Sequence, residues 1–347
     1  MSMDLFGKDF IVSQEWSLAE LRELLDLAAK MKRDRFSPRF TSILEHRTFF
    51  MFFYNPSVRT RQSFECAATE LGGHAQFLEP GAMRLKTATT AGETTEDAAK
   101  VMARYACGLG IRCLEDKVPY YGAGNELLRE YAHYADIPIL NMADDKFHPC
   151  QGMADVMGWA EWFGEGPGRP DYENLKGKNF LLTWASGALA RSWCSVQEAL
   201  LVASRFGMNV TVARPEGYDL DPQVYEWTKA NCAESGTSFR VTNDPDAAYD
   251  GVHIVYSRNW VTSDAYQDGV FQKKAEQEKA KAIPGWITTA ERMARGDNPI
   301  FTHPMPIDRG MEVEDEVASG PRSAIYDIAE NRLHVQKAVM ALTMGNL

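Results

Sequence analysis

Phe53-Tyr54-Asn55-Pro56-Ser57-Val58-Arg59-Thr60-Arg61 ends an apolar run in hydroxyls and two arginines, and a helical pattern follows. Phe49 to Tyr54 reads as a buried strand and Arg61 to Leu71 as the helix after it. A strand that turns into a helix through Ser, Arg and Thr is laid out to hold an anion. Ser57 and Thr60 offer hydroxyls and Arg59 a charged fork. The helix start adds unpaired N–H groups and the positive end of a dipole. A phosphate fits that donor set better than a carboxylate. An ordinary strand-to-helix connection with surface arginines reads the same way, so the segment needs support from elsewhere.

Phe147-His148-Pro149-Cys150-Gln151-Gly152-Met153-Ala154-Asp155 supplies it. Pro149 suits a first helical turn. A neutral imidazole and a carboxamide three residues apart can hydrogen-bond a carbonyl or amide group. The two segments together describe a small ligand with a phosphate end and an amide-like end.

Strand and helix signals alternate around these segments. Ser17 to Lys30 is an amphipathic helix with Ser17 and Glu20 at capping-box spacing. Gly108 to Cys113 and Pro138 to Met142 read as strands, with a helix over Glu126 to Ala135 between them. Alternation of this kind predicts a parallel sheet covered on both faces, whose ligands sit at the carboxyl ends of the strands. Gly164 to Asn174 is Gly/Pro-rich and reads as a separator. A second α/β domain follows, with strands over Asn179–Trp184, Asn209–Ala213 and Gly251–Tyr256 and a helix over Ser192–Phe206. The expected organisation is residues 1–155, residues 156–320 and a C-terminal helical segment, 321–347. Gln272 to Lys281, with Lys and Glu interspersed, reads as a solvated helix face.

Size and composition agree with two α/β domains. The chain has 347 residues and 45% hydrophobic content, enough for two cores. No apolar run approaches a membrane span, and Met1-Ser2-Met3-Asp4 lacks the basic-then-apolar order of a secretion signal. Six cysteines at irregular spacing read as reduced thiols, not as a disulfide or zinc framework. The expected location is the cytoplasm, and no metal or cofactor is expected. A net charge of −11 disfavours nucleic acid as a partner, while local arginines can still set a positive potential within a cleft.

The two segments also resemble the aspartate/ornithine carbamoyltransferase family. Its Ser-x-Arg-Thr turn, which binds the phosphate of carbamoyl phosphate, corresponds to Ser57-Val58-Arg59-Thr60. Its His-Pro-x-Gln segment, which binds the carbamoyl end, corresponds to His148-Pro149-Cys150-Gln151. Gly110-Ile111-Arg112, His303-Pro304-Met305-Pro306 and the run from Glu330 to Lys337 follow in the family's order. The resemblance implies catalytic roles for Arg59, Thr60, Arg112 and His148 at the carbonyl oxygen. Ser57, Val58, Gln151 and Arg332 would complete the carbamoyl phosphate site. It implies a last helix that crosses back onto the first domain, a trimer with sites at subunit boundaries, and a mobile loop bearing Lys86 and Gly92-Glu93-Thr94 that reaches a neighbouring subunit's site.

The acceptor amine is read less directly. The ornithine enzymes carry Asp with Ser-Met-Gly in the second domain and His-Cys-Leu-Pro near the end. This chain has Tyr256-Ser257-Arg258-Asn259-Trp260 and His303-Pro304-Met305-Pro306, the latter like the aspartate enzymes. Trp184, Arg191-Ser192-Trp193, the stretch from Gly207 to Thr211 and that from Tyr256 to Trp260 resemble the N-acetylornithine and N-succinylornithine branch, although Asp308 departs from it. That branch threads its second domain through a knot, an exception to the rule against threading; the same threading stays open for this chain. Arg258 would pair with an α-carboxylate, and His303, Pro304 and Met305 would line the amine site. Asn141 would orient the amine, and Asp144 and Asp145 would attract it, with caps or turns as the alternative for each. Ornithine, aspartate and a further amine stay open as acceptors, as does an inactive scaffold or regulatory homologue. A dinucleotide enzyme is disfavoured because no strand is followed by GxGxxG.

Overall fold

Thr48-Phe49-Phe50-Met51-Phe52-Phe53 has no polar residue after its first, which is the composition of a strand buried on both faces. In the computed structural model, which describes residues 4–86 and 91–345, it is β1, inside a four-stranded parallel sheet. The sheet order is β2-β1-β3-β4, with β2 His74–Leu78, β3 Gly108–Cys113 and β4 Ile139–Asp144. The connecting helices are α2 Val58–Glu70, α3 Thr95–Met102 and α4 Ala123–Tyr134, and α1 Leu18–Arg33 precedes the sheet. Ser17 and Glu20 form the expected capping box, and Leu21, Leu24, Leu25 and Ala28 give α1 its buried stripe. Ser17→Ala is expected to cost about 1 kcal/mol in a urea melt.

The chain divides into two compact units. The first runs to Met153 and resumes at Asn331, and the second is Ala154–Glu330. The division falls inside α5 Pro149–Trp162 and inside α11 Ile325–Met344. From Asn331 onward α11 is tied into the first unit. Lys337, fully buried, donates to Glu70 Oε2 at 2.9 Å and to the Arg35 carbonyl oxygen at 3.0 Å. Lys32 Nζ donates to Asn331 Oδ1 at 2.6 Å. Gly108 lets α11 come close to β3, since a Cβ there would lie 2.5 Å from Met344 Cε. Lys337→Ala removes one of the two cations on the Glu70 carboxylate, which burial pushes up but Arg35 and Lys337 hold below the usual range, and leaves Arg35 as its remaining partner. A loss of about 2–3 kcal/mol in chemical denaturation is the expected result.

The second unit carries a five-stranded parallel sheet in the order β7-β6-β5-β8-β9. Its strands are β5 Asn179–Trp184, β6 Asn209–Ala213, β7 Phe239–Thr242, β8 Ile254–Arg258 and β9 Ile300–Thr302. Helices α6 Cys194–Arg205, α7 Pro222–Ser235, α8 Lys273–Lys281, α9 Ala290–Met293 and α10 Asp315–Ala318 complete it. The Gly/Pro-rich passage 164–174 lies within this unit.

Several boundaries differ from the sequence reading. Helix α2 starts at Val58, not Arg61, because Ser57 is its cap and accepts the Thr60 N–H at 3.2 Å. That puts Arg59 and Thr60 in the first turn. β8 starts at Ile254 because Gly251, at φ 67°, belongs to a turn, and it runs on to Arg258, which pairs with Trp184 at the end of β5. Helix α8 is not a fully solvated surface element. Its Glu276 is buried and accepts from Thr262 N at 2.7 Å, Thr262 Oγ1 at 2.8 Å and Lys279 Nζ at 2.7 Å. Among the described residues, no helix is long and apolar enough to cross a membrane.

Candidate active site

Three adjacent strands of the first sheet end side by side. Phe53 at the end of β1 is level with Arg112 on β3, and Arg112 is level with Ala143 on β4. The register of β3 and β4 shifts between Ile111 and Arg112, and Ala143 has φ 153°. The chain leaving β1 therefore gives Ser57 to Thr60, β3 itself gives Arg112, and the turn after β4 gives His148 and Gln151. All come to the carboxyl end of one sheet, where α/β folds place ligands.

Within this group Ser57 and Arg59 are half-buried, Val58 is exposed and Thr60 is buried. Ser57 Oγ accepts from Thr60 N and keeps its own proton to donate. Arg332, on the α11 segment that belongs to this unit, donates from Nη2 to Thr60 Oγ1 at 2.7 Å. That bond joins the last helix to the turn that starts α2. Arg112 is half-buried, and His148 and Gln151 are buried, with the His148 carbonyl accepting the N–H groups of Gln151 and Gly152. Sequence reasoning missed Asn55. Its Oδ1 accepts from Leu114 N at 2.7 Å and its Nδ2 donates to Asp116, tying the end of β1 to the end of β3. The adjoining Pro56 and Ser57 were the only hint that this turn is fixed.

The residues upstream of His148 have structural duties. Asn141 Nδ2 donates to Ile11 O at 2.8 Å, Asp144 Oδ2 at 2.9 Å and Phe147 O at 3.3 Å, and Oδ1 has no hydrogen-bond partner among the described residues. Asp144 also accepts from Lys146 N and Phe147 N, closing the turn that presents His148. Asp145 accepts from Gly122 N and Asn125 N. It thereby caps α4, whose own N-cap, Gly122, has no side chain to do so. Of the two readings for these acids, the geometry supports turn and cap. Burial, and then the Asp144 charge, push the Asp145 carboxyl up to about 7. A carboxyl raised on folding binds more protons in the native state, so it favours folding at low pH. That contribution is lost as pH rises from about 4 to about 7. In paired urea melts, Asp145→Asn is expected to remove this share of the pH dependence.

Lys86 is exposed, and its N–H donates to Glu93 O at 2.7 Å, while Glu93 N donates to Arg84 O at 2.7 Å. The loop read between Arg84 and Thr95 includes residues 87–90, which lie outside the described residues.

The second unit holds its own polar cluster at the ends of β8 and β9. Arg258, the last residue of β8, is buried and donates from Nη1 to the Pro306 carbonyl oxygen at 3.0 Å. Burial, and then repulsion from Arg191, lower it to about 10. His303 has both ring nitrogens engaged: Nδ1 accepts from Met305 N at 2.8 Å, and Nε2 lies 3.0 Å from Glu312 Oε2. An accepting Nδ1 puts the proton of the neutral ring on Nε2, which donates to Glu312. Burial lowers the His303 pKa, which keeps the ring in that neutral form. His303 and Met305, at φ 58°, thus shape the turn, and Pro304 lies between them. Glu312 gave no signal in the sequence, where it sits in an acidic run. Its carboxylate accepts from Asn259 N and Asp308 N, each at 2.8 Å. Burial pushes this carboxyl up, but His303 and the two arginines outweigh it and hold it below the usual range.

Comparison with known proteins agrees with the fold of two parallel-sheet α/β domains. Residues 8–161 match the aspartate/ornithine carbamoyltransferase carbamoyl-P binding domain, and residues 188–343 match the Asp/Orn binding domain of the same family. The chain belongs to the aspartate/ornithine carbamoyltransferase family. It is 35% identical to N-acetylornithine carbamoyltransferase of Xanthomonas campestris pv. campestris over 97% of this chain and 98% of that one. It is 36% identical to ornithine carbamoyltransferase of Symbiobacterium thermophilum over 98% and 99%. A crystal structure of acetylornithine transcarbamylase with acetylcitrulline superposes with a TM-score of 0.87, at 34% identity, over 98% of this chain and 100% of that one. An N-acetyl-L-ornithine transcarbamylase variant solved with carbamyl phosphate and N-succinyl-L-norvaline superposes at 0.86, also 34% identical, over 96% and 99%.

Proposed function

We propose that this carbamoyltransferase moves the carbamoyl group of carbamoyl phosphate to the primary amine of an N-acylated ornithine, N-acetylornithine or N-succinylornithine. The observation that carries the donor half is the convergence of Ser57, Arg59, Thr60, Arg112, His148 and Gln151 on adjacent strand ends, with Arg332 bonded to Thr60. The unprotonated amine attacks the carbonyl carbon. A C–N bond forms, the carbonyl oxygen takes up negative charge, and the C–O bond to phosphate then breaks as the nitrogen loses its proton. Ser57, Arg59 and the first-turn N–H groups of α2 hold the phosphate; Arg59, Thr60, Arg112 and His148 face the carbonyl oxygen. Each such donor is worth about 3 kcal/mol of barrier where it meets developing charge. Holding both substrates in attack geometry supplies further acceleration.

The acceptor half rests on the second unit's Arg258 and on the relatives named for N-acetylornithine. Ornithine is the second reading, favoured by a 36% identical relative named for it. The proposal takes the working enzyme to be a cytoplasmic homotrimer with Lys86 at a subunit boundary, and without nucleic acid or membrane as partner. Phosphate release from carbamoyl phosphate, measured with N-acetylornithine, N-succinylornithine, ornithine and aspartate in turn, tests it. Strong stimulation by an N-acylornithine with the matching ureido product is expected. Stimulation by ornithine alone moves the acceptor, and failure to bind carbamoyl phosphate removes the catalytic reading.

A further inference from the structure

The edge strand β9 has a cavity of about 420 Å³ beside it, wholly within the second unit. Met293, Ala294, Pro299, Phe301, Val317 and Pro321 give it apolar walls, and its volume falls in the range of about 300–1,000 Å³ that holds small molecules. It is set apart from the polar cluster around Glu312. Asn298 and Pro299 lead into β9 and line the cavity, whereas His303 follows the strand's other end. The walls are fixed by their own bonds. Thr288 donates to Glu312 O and accepts from Glu314 N, both at 3.0 Å, and Glu314 Oε2 accepts the Ala290 N–H at 2.8 Å. These bonds hold α9 against the start of α10, and both helices line the cavity. Nor is the edge of β9 open to an added strand, because Phe301 N donates to Arg322 O at 2.8 Å and Phe301 O accepts from Ala324 N at 2.9 Å. The occupant this shape takes is a small molecule.

Arg322 sets the charge that molecule must carry. The side chain is half-buried and lines the cavity, with its guanidinium carbon 5.2 Å from the Trp162 ring centroid. A guanidinium has five N–H donors. Nε donates to the Pro299 carbonyl oxygen at 3.3 Å and Nη2 to that of Asn298, which fixes the group in place. The two Nη1 hydrogens and the second Nη2 hydrogen remain, side by side on the outer edge, where a planar two-oxygen anion takes parallel bonds. Burial pushes the Arg322 pKa down, and no carboxylate stands close enough to push it back. Glu316 also lines the cavity, but its side chain is exposed, where water screens its charge. A half-buried cation held only by two carbonyl oxygens and a ring, at the wall of an apolar cavity, is matched by an anion with an apolar body.

We propose that this cavity is a second ligand site of the protein, for a small carboxylate with an aliphatic or aromatic body, its carboxylate on Arg322 and its body against Met293, Phe301 and Val317. The site uses no residue of the proposed carbamoyl phosphate or amine sites, and its test reads binding without turnover. The probes are hexanoate, cyclohexylacetate and 4-phenylbutyrate, with the carboxamide of each, titrated calorimetrically onto the full chain. At least one carboxylate is expected to bind tenfold or more tightly than its carboxamide. Arg322→Gln is expected to bring that carboxylate down to the affinity of its carboxamide, and Arg322→Lys to keep part of the difference. Ala294→Trp, at an exposed position on the wall, is expected to fill the cavity and abolish binding of both forms. Arg258→Gln is expected to leave the affinity unchanged, since Arg258 belongs to the polar cluster. No binding by any carboxylate overturns the proposal, as does a ratio near one in the wild type. Binding that survives Arg322→Gln or Ala294→Trp, or is lost in Arg258→Gln, places the probe elsewhere and overturns it too. Thermal melts of each variant separate loss of recognition from loss of fold, and if Arg322→Gln melts early, Ala294→Trp decides.

Discussion

Arg59→Ala is expected to lower kcat/KM for carbamoyl phosphate by about a hundredfold to a thousandfold, the usual loss when one donor to developing transition-state charge is removed. The expectation follows from where the residue stands. Ser57 caps α2, so Arg59 lies in the first helical turn beside Thr60, which Arg332 holds by a 2.7 Å bond. The turn is built before the ligand arrives, and the substitution subtracts the guanidinium donors from it. Thermal melts of the variant separate loss of the donors from loss of fold. Initial rates across a range of carbamoyl phosphate concentrations, with calorimetric binding alongside, check it. A variant with near-normal kcat/KM would take this turn out of the site.

How far the sequence could be read follows from what each signal encodes. β1 and β5 were legible because strands buried on both faces are continuous apolar runs between turns, and Ser17 with Glu20 marked a helix start through local chemistry alone. β2, β7 and β9 were not. β2 and β7 are half-exposed edge strands of five and four residues, and β9 has three, too few for a period to register. Local pattern also fails for buried acids. Glu276 and Glu312 sit among charged neighbours and read as solvated, yet each accepts from backbone N–H groups of a segment 14 or 53 residues away. Asp144 and Asp145 carried two readings in the sequence, and only the fold shows that the N–H groups of the 144–147 turn and of α4 meet them. The residues of the proposed donor site stood out for the opposite reason: they cluster in short segments at strand ends, whereas the second unit's polar cluster draws on Arg191, Arg258 and Glu312 from three separate stretches.

That cluster also yields the largest expected change in stability. Glu312→Ala removes a fully buried carboxylate that accepts from Asn259 N, Asp308 N and His303 Nε2 and faces Arg258 at 4.0 Å. Three donors lose their acceptor, and Arg258 loses the carboxylate that faces it, while Arg191 keeps Asp308 at 3.1 Å. Breaking a buried ion pair from one side costs about 3–5 kcal/mol. The second unit should melt about 10 °C lower on that basis. Because Glu312 is held below its ordinary pKa, its contribution is present above the unfolded carboxyl value near 4.5 and fades as pH falls toward the folded one. The gap between wild type and Glu312→Ala should therefore narrow in acid. If the cost comes from stranded charge, adding Arg258→Met to Glu312→Ala should recover part of it, giving a coupling above 1 kcal/mol in a double-mutant cycle. Strict additivity of the two substitutions would mean that Glu312 acts through its backbone hydrogen bonds alone, and that the arginines are balanced by other groups.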